Sequence, residues 1–182
     1  MEPQMRKDTE TPDSRRLAVM VLAMVAVVPG TALVYLPAIL VYATAHTGWA
    51  ANPAGPAEAA LWIGLAVGAA GLFLMAWTIA DFVRVGHGTP APWKPPLKLV
   101  ERGPYRLVRN PMISGAMLVL AGEVAVLRSP AVAAWLGAFM IANLLYIPLV
   151  EEPGLEKRFG PDYRRYKENV PRWVPRATPW TG

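Results

Sequence analysis

The sequence contains no cysteine and only two histidines, His46 and His87. The absence of cysteine excludes a disulfide framework, a cysteine-ligated zinc or iron-sulfur site, and a thiolate nucleophile. Two histidines that lie far apart in the sequence leave little from which to build a transition-metal cluster. We therefore predict no metal site.

Charged residues are also scarce. They make up 17% of the chain, whereas 54% of the residues are apolar; a typical soluble domain has about 25% charged residues. Three runs carry no charge at all, residues 17–43, 59–80 and 130–150, and a fourth run, 111–127, contains one carboxylate, Glu123. Because a helix of roughly 20 apolar residues crosses the hydrocarbon of a bilayer, we predict an all-α integral membrane protein with about four transmembrane helices.

The last two predicted spans are separated by a tight turn. Only Arg128 and Ser129 lie between the third run and Pro130, which predicts a helical hairpin. The first run is too long for the apolar core of a cleavable signal peptide, and no small-residue cleavage site follows it cleanly. We therefore expect it to be retained as a span.

The basic residues indicate an orientation. Of the 18 Lys and Arg residues, 17 fall before residue 17, within 84–109 or after residue 150, and Arg128 is the exception. Basic loops stay cytoplasmic, so we expect a multi-pass protein of the inner (cytoplasmic) membrane with both termini cytoplasmic. The apolar runs separate the charges and leave no soluble basic surface, so nucleic acid is not an expected partner.

Prolines and glycines mark the first two spans. Pro29-Gly30 and Pro37 are expected to kink or interrupt the first helix, because each proline removes one backbone hydrogen bond. In the second span Gly64, Gly68 and Gly71 permit close approach of a neighbouring helix. Plain helix packing is favoured here over a ligand groove.

Glu123 is the one carboxylate within the predicted spans. A charged group inside a bilayer costs a few kcal/mol unless it is paired or hydrated. Two interpretations are equally open, a neutral or hydrogen-bonded structural group and a group near a substrate path. Arg128, five residues further on, is a potential partner.

Asn110 and Pro111 stand at the threshold of the third span. Asn at the N-cap and Pro at the first helical position are typical of a helix start. Arg109 precedes them, and a guanidinium beside the free N–H groups of a helix N-terminus forms an anion site. The segment is therefore either a plain helix start or an anion site.

Glu151 and Glu152 follow the fourth span, which we expect to end at Val150. Carboxylates are electrostatically unusual there, because the C-terminal end of the helix dipole is already negative. A bound cation and solvation at the membrane interface are equally good explanations for the two carboxylates. The hairpin places Arg109 beside this pair, so one pocket would offer both an anion site and a cation site. A zwitterionic amino acid that also carries a sulfonium fits such a pocket.

An aromatic stripe follows the glutamates. Leu155, Phe159, Tyr163 and Tyr166 have 3-to-4 spacing, which predicts a short cytoplasmic amphipathic helix over residues 154–168. Either this helix lies on the lipid headgroups, or it forms a lid over an adenine or a substrate headgroup.

Between residues 60 and 180, several motifs occur in a fixed order: Gly103-Pro104-Tyr105, Val108-Arg109-Asn110-Pro111, Glu151-Glu152, Leu155, Phe159-Gly160, Tyr163, Tyr166, Val170-Pro171 and Pro175. This ordered set resembles the isoprenylcysteine carboxyl methyltransferase family, which is related to the membrane phospholipid methyltransferases. Asn110, the Pro-rich segment 92–96 and Pro171-Arg172-Trp173 resemble a bacterial branch of that family.

The resemblance implies an enzyme that binds S-adenosylmethionine at the cytoplasmic membrane face. It implies methylation of a lipophilic acceptor that enters from the bilayer, such as an isoprenylcysteine carboxylate. The implied catalytic residues are Glu152, Arg109 and Tyr105, and the implied cofactor-binding residues are Arg109, Asn110, Pro111, Met112, Glu151, Glu152, Tyr163 and Tyr166.

These residues have separate implied roles. Arg109 and the N-terminus of the third span would hold the cofactor carboxylate, and the two glutamates would hold its ammonium. A carboxylate acceptor needs no general base, whereas an amine or thiol acceptor would need Glu151, Glu152 or Tyr105. Asn110 stands where many members have His, and Ile113 where many have Tyr, so a titratable group and a hydroxyl are missing.

In this interpretation residues 1–16 form a cytoplasmic tail, 17–83 hold the first two spans, and 84–182 form the methyltransferase core. The alternatives are a phospholipid or small-thiol methyltransferase, and a family member that binds cofactor without turnover. A non-catalytic membrane partner or small transporter, with Glu123 on a polar path, is an alternative of another class. A sterol-type reductase is less well supported, since the chain is short and nothing resembles a nicotinamide phosphate clamp. The acceptor and the oligomeric state stay open.

Overall fold

The chain is described by a computed structural model that covers residue 23 and residues 27–85 and 99–182. Within these residues the fold is all-helical, as the sequence predicts, and has five helices. They are α1 (Val27–Ala43), α2 (Ala59–Val85), α3 (Pro111–Leu127), α4 (Pro130–Phe159) and α5 (Pro161–Asn169). The predicted N-terminal tail, most of the first ten residues of the predicted first span and the Pro-rich segment lie outside the described residues.

Two of the described helices are long and apolar enough to cross a membrane. They are the 23 residues Ala59–Asp81 of α2 and the 30 residues Pro130–Phe159 of α4. Helices α1 and α3 are apolar but shorter. The prediction of four spans goes beyond these two helices and stays a prediction.

A wide, π-helical turn interrupts the regular winding of both α1 and α4. The first, Thr31–Tyr35, lies between Pro29-Gly30 and Pro37, so the prolines distort α1 as predicted without ending it. The second, Ile147–Glu151, contains Pro148. Because a proline lacks an N–H group and its ring crowds the preceding turn, a local change of winding accommodates it.

The prediction that the helix of the fourth span ends at Val150 is wrong. The chain stays helical through the π turn and into the segment Glu152–Phe159. Two carboxylates and Pro153 are local helix-ending signals, but the wide turn accommodates the prolines and Glu152 has cationic partners from distant segments. The two glutamates therefore lie within the helix and not beyond its end.

Helices α2 and α3 pack most closely, as the glycines predict. A Cβ atom on Gly71 would lie 2.5 Å from the carbonyl oxygen of Gly115 and 2.8 Å from the backbone nitrogen of Val119. A Cβ on Gly122 would lie 2.6 Å from the carbonyl oxygen of Gly64. Backbone thus meets backbone across this interface, and only glycine fits.

We expect Gly71→Ala to destabilise the fold by about 1–3 kcal/mol, because the added methyl group must push two backbones apart. Gly137→Ala on α4 is the matched control, since a Cβ there meets no atom within 4 Å. Thermal unfolding of the detergent-solubilised variants measures the effect. Equal unfolding midpoints for the two variants would contradict the packing argument.

The predicted hairpin between α3 and α4 is confirmed. Arg128 turns the chain with a left-handed backbone (φ 47°), and the Ser129 hydroxyl accepts a hydrogen bond from the Val132 N–H at 3.4 Å. Arg128 pairs with Glu58, however, and the predicted pairing of Arg128 with Glu123 is wrong. The backbone N–H groups of Asn52 and Ala54 donate to the last carbonyls of α3, so the α1–α2 connection covers this end of the hairpin.

The single amphipathic helix predicted over 154–168 is also wrong in its extent. Gly160 has a positive φ of 57° and divides the segment into the end of α4 and the separate helix α5. The aromatic stripe exists, but it faces the protein interior. Tyr163, Tyr166 and Val170 form a small core that is covered by Leu99, Leu155, Phe159 and Trp180.

Candidate functional site

The start of α3 and the π turn of α4 bring a buried ion pair together. Arg109 Nη1 lies 2.8 Å from Glu152 Oε1, and these side chains are 9% and 3% exposed. The hairpin is the cause, since it returns the chain to the level at which α3 began. The predicted proximity of Arg109 and the glutamate pair is confirmed.

A second arginine completes the ion network. Arg172 Nε donates to Glu152 Oε1 at 2.7 Å, and Arg172 Nη2 donates to Glu152 Oε2 at 2.9 Å. This two-pronged geometry is the strongest that a guanidinium and a carboxylate form. The hydrogen bond raises the pKa of Arg172 above its ordinary value. Lys167 Nζ stands 3.7 Å from Glu152 Oε2, so Glu152 is the shared anion of three cations.

Arg172 was not among the predicted site residues. It lies 20 residues after Glu152 in a segment without regular structure. The sequence marks Pro171-Arg172-Trp173 as a motif, but no spacing rule connects such a segment to a residue inside a helix. Tertiary folding alone makes the contact.

Backbone hydrogen bonds hold the C-terminal segment against the approach to α3. The Arg109 N–H donates to the Pro171 carbonyl at 2.9 Å, and the Arg176 N–H donates to the Leu107 carbonyl at 3.0 Å. The Trp180 N–H donates to the Arg106 carbonyl at 2.9 Å. These hydrogen bonds hold Arg109 and Arg172 on adjacent segments of the chain, so both guanidinium groups reach the carboxylate of Glu152.

Asn110 occupies the N-cap position of α3, as predicted, and Pro111 the first turn. The Asn110 side chain makes no capping hydrogen bond; its Nδ2 donates to the Arg172 carbonyl at 3.3 Å. Pro111 is buried, and Met112 packs against the core that α1, α2 and α3 share. Asn110 therefore links α3 to the C-terminal segment and does not cap the helix.

The two glutamates have different surroundings. Glu152 is buried, whereas Glu151 is exposed. Arg109 and Arg172 already balance the charge of Glu152. Glu151 has no ion pair among the described residues, so no described cation balances the charge of its carboxylate.

Three tyrosines line the buried side of the network. Tyr166 donates its hydroxyl hydrogen to the Tyr105 carbonyl at 2.7 Å, and the rings of Tyr163 and Tyr166 lie 6.2 Å apart. Burial, reinforced by the charge of Glu152, raises the pKa of Tyr163 to about 12. Burial also raises the pKa of Tyr105 well above its ordinary value. At neutral pH these phenols are therefore protonated.

We expect Tyr166→Phe to destabilise the fold by about 1 kcal/mol or somewhat more, because the Tyr105 carbonyl loses a buried donor. Thermal unfolding in detergent is the measurement. Tyr42→Phe is the control, since Tyr42 is exposed. If both variants unfold at the wild-type temperature, the hydrogen bond does not hold α5 to the segment before α3.

Comparison with known proteins supplies one match. A family model described as phospholipid methyltransferase matches residues 59–162, more than half of the chain. The match covers α2, α3, Arg109 and both glutamates, and it ends before Arg172. No curated protein and no solved structure matches the chain.

Proposed function

Since the chain belongs to the phospholipid methyltransferase family, we propose that it transfers a methyl group from S-adenosylmethionine to a lipophilic acceptor. The family and the two candidate spans indicate a methyltransferase of membranes. The observation that carries the proposal is the buried network of Arg109, Glu152 and Arg172, which joins the start of α3, α4 and the C-terminal segment outside the apolar runs.

The residues of the network suit the charged end of S-adenosylmethionine. The Nε atom of Arg109 is buried and has no hydrogen-bond partner within the described part of the chain. A carboxylate at that nitrogen would satisfy it. Glu151, which has no ion pair among the described residues, offers a carboxylate to an ammonium group nearby. The site therefore presents one unsatisfied donor for an anion and one acceptor for a cation.

S-adenosylmethionine, when bound, supplies the methyl group on a sulfonium, which is already an activated electrophile. The protein has to provide alignment and exclude water. In the proposed mechanism Arg109 and the first turn of α3, including Met112, hold the cofactor carboxylate, and Glu151 and Glu152 favour the positive groups. Arg172 and Asn110 keep Glu152 and the α3 start in place.

The tyrosines have supporting roles in this mechanism. Tyr163 and Tyr166 form the wall of the site beside Arg109. Tyr105 stays protonated because burial raises its pKa, so it does not serve as a general base. Glu151 is the remaining candidate for a base.

The groups at this site are compatible with two classes of methyl acceptor. A carboxylate acceptor, such as that of an isoprenylcysteine, needs no proton removed before attack. An amine on a phospholipid headgroup needs a base, and the description of the matched family favours this second class. The 17 basic residues on one side of the proposed topology support a position of both termini and residues 84–109, and with them the reaction, at the cytoplasmic face of the inner membrane.

Labelling identifies the acceptor. Membranes that contain the protein are incubated with S-adenosylmethionine radiolabelled in the methyl group, and the lipids are extracted and separated. Label in a base-labile methyl ester supports a carboxylate acceptor, and label in an N-methylated headgroup supports a phospholipid amine. If wild-type membranes label no more strongly than membranes with an empty vector, methyl transfer to a lipid is refuted.

A non-catalytic membrane partner or transporter is the alternative of another class. In that case replacing Glu123, within α3, would abolish function, and replacing Glu152 would be tolerated. Methyl transfer predicts the reverse order of effects. Measuring methyl transfer by Glu123→Gln and by Glu152→Gln under the same conditions distinguishes the two functions.

A further inference from the structure

A large apolar cavity lies between α1, α2 and α3, away from the ion network. Its volume is about 930 Å³, within the range of about 300–1,000 Å³ that is usual for small-molecule sites. Leu33, Pro37, Val41, Gly68, Leu72 and Glu123 are among the residues that line it. Glu123 follows Pro111 by 12 residues in α3, which is about 18 Å along a helix. The cavity is therefore separate from the proposed methyl-transfer site.

Among the residues that the structure describes, Glu123 is the one charged residue that lines this cavity. Its Oε2 atom is shielded from solvent and has no hydrogen-bond partner among the residues that the structure describes. Arg128, the cation nearest in sequence, is engaged by Glu58. A buried polar atom without a partner is costly, so an occupant that brings a donor to Glu123 would be stabilised.

Gly68 accounts for part of the open space. Its neighbours Gly64 and Gly71 are needed for contact between α2 and α3, because a Cβ on either would meet the backbone of α3. A Cβ on Gly68 would meet no atom within 4 Å, although Gly68 lines the cavity. Helix packing therefore does not explain the absence of a side chain at this position.

We propose that this cavity binds a long-chain amphiphile with a single cationic amine head, the ammonium donating to Glu123 and the chain lying between α1 and α2. Charge complementarity selects the head, because Glu123 is the one charged residue among the described residues of an otherwise largely apolar lining. The apolar lining selects the chain. The site does not depend on methyl transfer.

A photoreactive probe tests the site in the full-length protein. The protein is reconstituted in phosphatidylcholine nanodiscs with octadecylamine that carries a diazirine on its chain, irradiated and mapped by mass spectrometry. We expect labelled peptides from the cavity walls on α1 and α2, and roughly tenfold weaker labelling by the matched octadecanol probe, which keeps the chain and loses the charge.

Two variants and two controls assign the labelling to the cavity. Glu123→Gln removes the charge, and Gly68→Leu fills the space; each should reduce labelling by the amine roughly tenfold. Glu168→Gln is the control for charge, since Glu168 is an exposed carboxylate outside the cavity. Gly137→Leu is the control for size, because Gly137 has open space around it and lies outside the cavity. Both controls should label as the wild type does.

Several results would overturn the proposal. They are equal labelling by the amine and the alcohol, labelling that maps outside the cavity, and unchanged labelling of Gly68→Leu. If Glu123→Gln unfolds, the proposal is still tested by the wild type and Gly68→Leu. The quantity compared is the ratio of labelling by the amine probe to labelling by the alcohol probe.

Discussion

Replacing Glu152 by glutamine is expected to reduce the rate of methyl transfer about 100-fold, which corresponds to about 2.7 kcal/mol in transition-state free energy. The amide keeps the shape of the side chain but cannot accept from Arg109 and Arg172 as an anion. Two guanidinium groups would then be left with one neutral partner in a buried site, where Glu152 is only 3% exposed. The measurement is incorporation of radiolabelled methyl into extracted lipid.

Glu156→Gln is the matched control for this substitution. Glu156 lies one turn further along α4, is more exposed, and has only longer ion pairs at 3.7 and 3.8 Å, with Lys167 and Arg164. It should retain activity within about twofold, as exposed pairs contribute little. Wild-type activity of Glu152→Gln would contradict the proposed role of the network.

Loss of folding has to be separated from loss of catalysis. Removing one partner of a buried ion pair typically destabilises by about 3–5 kcal/mol. Combining Glu152→Gln with Arg172→Gln removes one of the unpaired charges as well, so we expect the double variant to regain thermal stability and to stay inactive. A double variant that regains both thermal stability and methyl transfer would show that the network serves folding alone.

Replacing Arg109 by lysine is expected to weaken binding of S-adenosylhomocysteine by about tenfold to 100-fold. Lysine keeps the charge beside Glu152 but offers a single ammonium in place of a planar fork of donors. Arg109 already donates through Nη1 to Glu152, and its buried Nε has no hydrogen-bond partner among the described residues. Calorimetric titration of the detergent-solubilised protein gives the affinity.

Arg164→Lys is the control for the arginine substitution, since Arg164 is exposed and has only a 3.8 Å pairing with Glu156. Its affinity for S-adenosylhomocysteine should equal that of the wild type. Equal affinities of the wild type and Arg109→Lys would remove Arg109 from the cofactor site, whereas no binding by the wild type would refute the cofactor itself.

Local sequence rules predicted much of the helical framework. The glycines of α2 predicted the close contact with α3, because small residues are what such a contact requires. The short turn at Arg128-Ser129 predicted the hairpin, and the hairpin in turn predicted that Arg109 and the glutamates would be neighbours. Each inference needed only spacing and chain direction.

The same rules failed where a distant segment supplies an ionic partner and so changes the electrostatic energy of a residue. Glu151, Glu152 and Pro153 are local signals for the end of a helix, yet α4 continues to Phe159. The electrostatic cost of Glu152 is offset by Arg109, 43 residues earlier, and by Arg172, 20 residues later. The carboxylate of Glu123 likewise lacks the partner that its sequence neighbour Arg128 would have provided, because Arg128 pairs with Glu58.

The sequence by itself determined that this protein is helical and apolar, that nearly all of its charges lie outside the apolar runs, and that residues 59–162 match the phospholipid methyltransferase family. Only the tertiary structure decided that Glu152 is buried while Glu151 is exposed, that Arg172 joins the network, and that the aromatic stripe of α5 faces inward. The physical reason is that periodicity and charge are properties of a segment. Burial and the choice of ionic partner depend on which distant segments pack against it.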